Sequence, residues 1–573
     1  MKRTLKTVAV FTLAGFVVSS CASLNKMKKM ESDIAYKVTP EVLEAKGGQV
    51  DLSINATIPA KYFNKKVTLV ATPVLKFADG EKAYEPKTLQ GEKVQGNNEV
   101  VPYAEGKTVS YTGTVPFEDG MRASGLYVKF VGTKGSKTVE YESNKIADGV
   151  LATATLVDNA PAIAIGKDAF ERITKEEKEA AIYYLINSSQ VRSKEKSSDE
   201  IKAMEQFIKD AKAAEDLELK NIQIQSYASP DGPMDWNDKL ANNREKSADK
   251  FVKDNMKRNK IDEYKDLDFF KKFVVAEDWD GFKKAMEESN IQDKELILRV
   301  LSMYSDPEVR EKEIKNISSA YSAVADQILP KLRRSKFVVN VDRIGKSDEE
   351  LRELAKSNPS SLNVEELLYS ATLFEDNADK LAIYEAAKQQ FANDWRGFND
   401  AGMIKFEMGK VAEAKADFQK ADQLSANNKV VKNNLGAVEL KNGNVQEAEV
   451  LFGAATGLGT EVDYNKGIVA IMKGDYAAAA QLFGNCNCVN AALANLLAGN
   501  TSVAAQKLND NQTGDAMVPY LKAVIAARNN DTNAVISNLK DACAKDASLK
   551  QTAATDMEFA KLFENADFQA IVK

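Results

Sequence analysis

Five residues in the last third of the chain come back at a constant offset. Gly402, Gly409, Ala414, Phe418 and Ala421 recur as Gly436, Gly443, Ala448, Phe452 and Ala455, each 34 positions later. A unit this short cannot bury an apolar face by itself, so its copies must stack on one another and share a continuous core. A third, shortened copy reads Gly467, Gly474, Ala479 and Phe483. A fourth reads Gly499, Ala504 and Leu508, and a degenerate fifth reads Ala523, Leu539 and Ala542. A diverged leading copy includes Leu367, Tyr384 and Ala387.

The period and its small and aromatic positions resemble the tetratricopeptide (TPR) repeat. That resemblance implies an all-α solenoid of helical hairpins over residues 350–573. The small residues let the two helices of a repeat approach, and the phenylalanine fills the gap between them. It also implies a concave groove that docks a peptide or a protein surface. The alternative is an array that packs only against its own chain. Groove residues must be polar, helical and inward-facing, and the sequence alone does not say which these are.

A second constellation lies between Ser226 and Val252. Leu219 to Tyr227 alternates as a strand, with Ile222 and Ile224 against Gln223 and Gln225. Pro230-Asp231-Gly232-Pro233 breaks it. A helix follows with Asn237 as its N-cap and Leu240, Ala248, Phe251 and Val252 as its apolar stripe. Loop amides, a helix N-terminus and Arg244 together suit a carboxylate. Tyr227, Gly232, Asn237, Leu240 and Arg244 stand at the spacings of the OmpA-like peptidoglycan-associating domain, which this stretch resembles. The resemblance implies that Arg244 grips the diaminopimelate of a wall peptide. The family's partner Asp, three residues before the Gly, is Ser229 here, with Asp231 two residues on. The candidate peptide-binding set is therefore Arg244, Ser229, Asp231 and Asn237. The domain is expected over 161–345. Its first strand is expected at Ala181–Ile186, a helix at Ser198–Ala214, a helical insertion at about 257–331 and a final strand at Lys336–Asp342.

The chain opens with Lys2, Arg3 and Lys6, then an apolar run from Val8 to Val18, too short to span a bilayer. It ends Val18-Ser19-Ser20-Cys21, which resembles a bacterial lipobox. That implies a lipoprotein signal peptide over 1–20, acylation of Cys21 and a stable membrane anchor, followed by a tether over 21–33. Ala22 after the cysteine implies the outer membrane, and the basic Lys26-Met27-Lys28-Lys29 implies its periplasmic face.

Between 34 and 160 short runs are punctuated by Gly and Asp. Val50, Leu52, Ile54, Ala56 and Ile58 alternate with polar residues, and further runs follow at Val67–Phe77, Ser110–Pro116 and Tyr127–Val131. The pattern predicts a β-sandwich. The expected whole is thus multidomain: N-terminal β-sandwich, central α+β OmpA-like domain with a helical insertion, and C-terminal all-α TPR solenoid.

Composition narrows the function. The chain has no histidine, which removes the commonest general base, the usual triads and most transition-metal sites. A net charge of −6 offers no footprint for nucleic acid. Asp235 and Asp238 could do acid–base work, but as first-turn acids they suit a helix N-terminus. Cys486 and Cys488 stand too close for an easy mutual bridge. Either could pair with Cys543, or all three could be small buried side chains. No enzyme, cofactor or metal is expected. The expected function is a lipid-anchored scaffold whose array docks a partner in an outer-membrane complex, such as a β-barrel. The alternative is a peptidoglycan tether.

Overall fold

The computed structural model describes residues 22–573; the expected signal peptide and Cys21 lie outside the described residues. The chain divides into two compact units, Met1–Lys167 with Lys380–Lys573, and Asp168–Asp379. Sandwich and array therefore belong to one unit, and the central region forms another.

The first unit begins with two sheets sharing one core. Strand β1 (Gln49–Ile58), strand β2 (Thr68–Phe77), strand β3 (Lys107–Pro116) and strand β4 (Gly125–Lys134) are its long members. β1 pairs antiparallel with β3, and β2 with β4. Val50, Leu52, Ile54 and Ile58 all point inward, as the alternation requires. The tether expectation is corrected from Ala22 onward. Residues 22–29 are helical, and Leu24 and Met27, three apart and so on one helix face, are buried in the sandwich core. Leu24 lies over Gly132 of β4, where a Cβ would come within 3.2 Å of its methyl. Lys134 Nζ donates to Ser23 Oγ at 2.9 Å.

After Val150–Leu151 pairs with Leu43–Glu44 at the sandwich edge, the chain turns into the array and runs extended as a strap from Asp158 to Gly166.

The second unit is a four-stranded mixed sheet. Strand β5 (Ile173–Tyr183), strand β6 (Leu217–Tyr227), strand β7 (Phe270–Val275) and strand β8 (Arg334–Ile344) stand in the order β5-β8-β6-β7. Only β6 and β7 run parallel. Helix α1 (Asp199–Ala213) and helix α2 (Met234–Arg258) cover the core with Ile201, Met204, Ile208, Ala248 and Val252. α1 is capped by Ser198, whose side chain accepts from Ile201 N–H. Five helices between Trp279 and Leu332 form a separate apolar cluster around Phe282, Met286, Ile297 and Val324.

Three sequence expectations change here. The predicted first strand at Ala181–Ile186 lies earlier, and Leu185 and Ile186 are exposed beyond its end. The predicted insertion from about 257 is not wholly helical, since β7 joins the sheet first. Both strands are sheet edges; β7 is exposed along most of its length, and β5 buries only Ala180 and Ile182 after a charged first half. The predicted N-cap moves as well. α2 starts at Met234 after Pro233, whose fixed φ of −59° suits a helix entrance, and Asn237 sits inside the first turn.

The array follows. Helix pairs α3 (Trp395–Glu407) and α4 (Val411–Leu424), α5 (Lys429–Lys441) and α6 (Val445–Ala454), α7 (Thr460–Met472) and α8 (Tyr476–Phe483) are three successive hairpins. α9 (Val489–Leu497) with α10 (Thr501–Asp510), and α11 (Met517–Arg528) with α12 (Thr532–Lys545), continue the stack. Added Cβ atoms at Gly402, Gly436 and Gly467 would meet the rings of Phe418, Phe452 and Phe483 at 2.8, 2.7 and 2.6 Å. Each inner helix therefore touches the ring of its own partner. The hairpin turns use Gly409, Gly443, Gly474 and Gly499 at φ +76°, +82°, +79° and +84°, a conformation glycine adopts freely. The cysteine expectation is corrected. Cys486 and Cys488 form a disulfide with Cα atoms 5.4 Å apart in the turn after α8, and Cys543 is free and buried.

Candidate functional site

The inner helices of the array carry a row of buried amides. Asp400, Asn434 and Asn465 each stand two residues before the glycine that packs on a phenylalanine, and Asn490 stands two before Ala492. Asn399 and Asn433 precede the first two of these. All six are buried, and a buried polar group is costly unless hydrogen-bonded. Here their partner is the main chain of the strap.

Asn434 accepts from Ala164 N–H at 2.8 Å and donates to the Ala164 carbonyl at 2.7 Å. Asn465 does the same to Ala162, both at 2.7 Å. Asn490 does so to Asp158, at 2.8 and 2.9 Å. Gly166 N–H donates to Asp400 Oδ1 at 2.7 Å. Residues 162, 164 and 166 alternate, as an extended chain presenting one edge must. The side chains also donate to one another in a single direction. Asn465 donates to Asn433, Asn433 to Asn434, Asn434 to Asn399 and Asn399 to Asp400, at 2.9–3.1 Å. Such relays polarise each member and fix its orientation. The relay ends at a carboxyl whose Oδ2 has no partner. Burial lifts the Asp400 carboxyl to about 7, against the hydrogen bonds from Asn399 and Gly166 that favour its charge. Close approach is possible because the strap is small at these positions. A Cβ at Gly166 would lie 3.1 Å from Arg396 Cγ and 3.2 Å from Asp400 Oδ1.

None of these groove residues was named from the sequence. A signal was there: Asn399-Asp400 and Asn433-Asn434 share the repeat offset, so a polar pair recurs on the packed face of the inner helix. What they bind was not readable, because the strap lies more than two hundred residues away in sequence. The strap also spans the expected 34–160 and 161–345 boundary, and residues 161–167 belong to the first unit.

In the second unit Ser229, Asp231, Asn237 and Arg244 line one cleft, together with Asn187, Trp236 and Arg333. Arg244 does not project into open space. Its guanidinium donates to the Tyr227 carbonyl at 2.8 Å, Ser188 at 3.0 Å and Leu185 at 3.4 Å, and stacks over the Tyr184 ring. Burial pushes it down to about 10, so it remains a cation at neutral pH. Arg333, a residue not singled out as a site from the sequence, carries the ion pair. It donates to Asp231 Oδ2 at 3.1 Å and to Ser229 Oγ at 3.2 Å, while Ser229 Oγ donates to Asp231. Asn237 donates back to the Gly232 carbonyl at 3.1 Å and closes the loop. Two guanidiniums face one carboxylate, leaving the cleft with a positive excess suited to an anionic group.

No protein-family model and no curated protein matches the chain. Among solved structures, PilF of Pseudomonas aeruginosa is similar over 39% of this chain and 98% of its own, at 14% identity and TM-score 0.27. A tetratricopeptide repeat protein of Parabacteroides merdae is similar over 43% and 98%, at 14% and 0.30. YrrB, a TPR protein with an unusual peptide-binding site, is similar over 38% and 100%, at 18% and 0.23. At those TM-scores the likenesses carry no weight beyond themselves. The recurrence at 34 residues and the glycine-on-phenylalanine contacts make the C-terminal region an array of stacked helical hairpins with the tetratricopeptide period.

Proposed function

We propose that this protein is a non-catalytic scaffold, anchored through an acylated Cys21 to the periplasmic face of the outer membrane, whose array engages a partner in a membrane protein assembly. The observation that carries this reading is the amide ladder, which is equipment for holding a polypeptide. Grips on N–H and C=O groups recognise an extended chain whatever its side chains. The absence of histidine from the sequence supports a binding role over a catalytic one. The test is a tag after Lys573, mild detergent extraction of the outer membrane and identification of what co-purifies. A stoichiometric β-barrel partner supports the scaffold; recovery of the protein alone overturns it. Metabolic labelling with palmitate, lost in Cys21→Ser, tests the anchor.

A second reading is favoured by the cleft of the second unit. Its positive excess supports binding of a carboxylate-bearing wall peptide, which would make the protein a membrane-to-wall tether. The variant to use is Arg333→Ala, because the Arg244 donors are committed to the carbonyls of its own loops. Co-sedimentation with purified sacculi that Arg333→Ala abolishes supports the tether. Wild-type protein left in the supernatant overturns it.

A further inference from the structure

We infer that the strap Asp158–Gly166 is a displaceable resident ligand, so that the array's polypeptide site is closed in cis and opens to a second extended segment when the strap leaves. This deepens the scaffold reading, on which it rests, by naming the class of partner segment and the event that admits it. Three observations converge. First, the ladder holds the strap through main-chain N–H and C=O groups at 158, 162, 164 and 166. Nothing in those bonds distinguishes this segment from another extended one. Second, the groove floor is polar. With the strap gone, the amides of Asn399, Asn433, Asn434, Asn465 and Asn490 would meet water rather than face an empty apolar cavity, so the site has no drive to collapse. Third, sterics set a sequence rule. Ala164 is buried against the ladder, and a Cβ at Gly166 would crowd Arg396 Cγ and Asp400 Oδ1 at 3.1 and 3.2 Å. Between these rungs, Ile163 is half-buried against the cluster that contains Phe418 and Val431. The ligand class is therefore an extended peptide with small residues at the Asn465, Asn434 and Asp400 rungs.

Covalent attachment gives the strap a large advantage. A tethered segment acts at an effective concentration on the order of millimolar, so a free peptide at micromolar concentration competes poorly while the strap is in place.

The experiment uses the full chain and a fluorescein-labelled synthetic peptide with the sequence of residues 158–167, read by anisotropy. Wild type is expected to show no binding at about 10 μM peptide, well below the strap's effective concentration. Ala164→Arg, which evicts the strap, is expected to bind saturably. Adding Asn434→Ala and Asn465→Ala should weaken that binding by roughly 100-fold, about tenfold per amide pair. A peptide with leucine at the Gly166 position should bind at least about tenfold more weakly. An Ala164→Arg chain that keeps the wild-type circular dichroism and cooperative melt but ignores the peptide overturns the inference.

If Ala164→Arg fails to fold, hydrogen exchange on the wild type decides. Strap amides at 162, 164 and 166 that exchange faster than those of α5 and α7 show local release. Equal protection, lost only in global unfolding, overturns the inference. Peptide binding without any co-purified membrane partner would sink the scaffold assignment and leave the site standing. A co-purified partner with no peptide binding would do the reverse.

Discussion

Asp400→Asn offers a sharp test of the ladder. Asp400 is fully buried, its Oδ1 accepts from Gly166 N–H and Asn399, and its Oδ2 has no partner. The equivalent position in the next two repeats is asparagine, whose amide nitrogen donates to the strap. Burial raises the carboxyl from 3.8 to about 7. The folded chain therefore keeps a proton that the unfolded chain releases above about pH 4. Stability must fall as pH rises from about 4 to about 7 and level off beyond. At 1.36 kcal/mol per pH unit the full loss is about 4 kcal/mol. Asparagine cannot ionise, keeps the Oδ1 acceptor and places a donor where the orphan oxygen was. Asp400→Asn should match wild type near pH 4 and exceed it by up to about 4 kcal/mol at pH 8. The assay is urea unfolding across that range in a Trp236→Phe/Trp279→Phe background, leaving Trp395 on α3 as the reporter. Equal pH slopes in the two proteins, or a less stable Asp400→Asn at pH 8, would refute the reasoning.

Other outcomes follow from the same contacts. Phe452→Ala should cost about 3–5 kcal/mol in urea unfolding of the array, because its ring fills the space above Gly436. Arg244→Ala should destabilise the second unit by about 3 kcal/mol, since backbone carbonyls lose their donor; Arg333→Ala should cost about 1 kcal/mol. Limited trypsin should spare Lys26, Lys28 and Lys29 in wild type and cut there in Met27→Asp, which expels the first helix from the sandwich core. A non-reducing digest should recover Cys486 and Cys488 oxidised in one peptide, with Cys543 alkylated only after unfolding.

What could be read early was whatever local periodicity carries. The alternation of Val50 to Ile58 announced a strand with one buried face. The glycines and phenylalanines of the repeat announced hairpins, and the added-Cβ distances at Gly402, Gly436 and Gly467 show why those positions stay small. The edge strand β5 was placed too late because its first half is charged and only Ala180 and Ile182 are buried, and β7 escaped because solvent lies on most of its side chains. In β7, Lys271, Lys272, Phe273 and Val274 are all exposed, so period-two burial never develops. The Arg244 loop was legible as a spacing, but its use was not. A guanidinium counted as a ligand clamp turned out to hold three loop carbonyls, and the ion pair passed to Arg333, about a hundred residues downstream of Asp231.

The sequence by itself determined the sandwich strands and the hairpin repeats, because each follows from neighbours along the chain. Only the tertiary structure decided what the asparagines hold. A main-chain partner has no side-chain signature, since every residue carries the same N–H and C=O. That the strap Asp158–Gly166 fills the ladder, and that Leu24 and Met27 draw the first helix into the sandwich, depended on segments meeting far from where the chain places them.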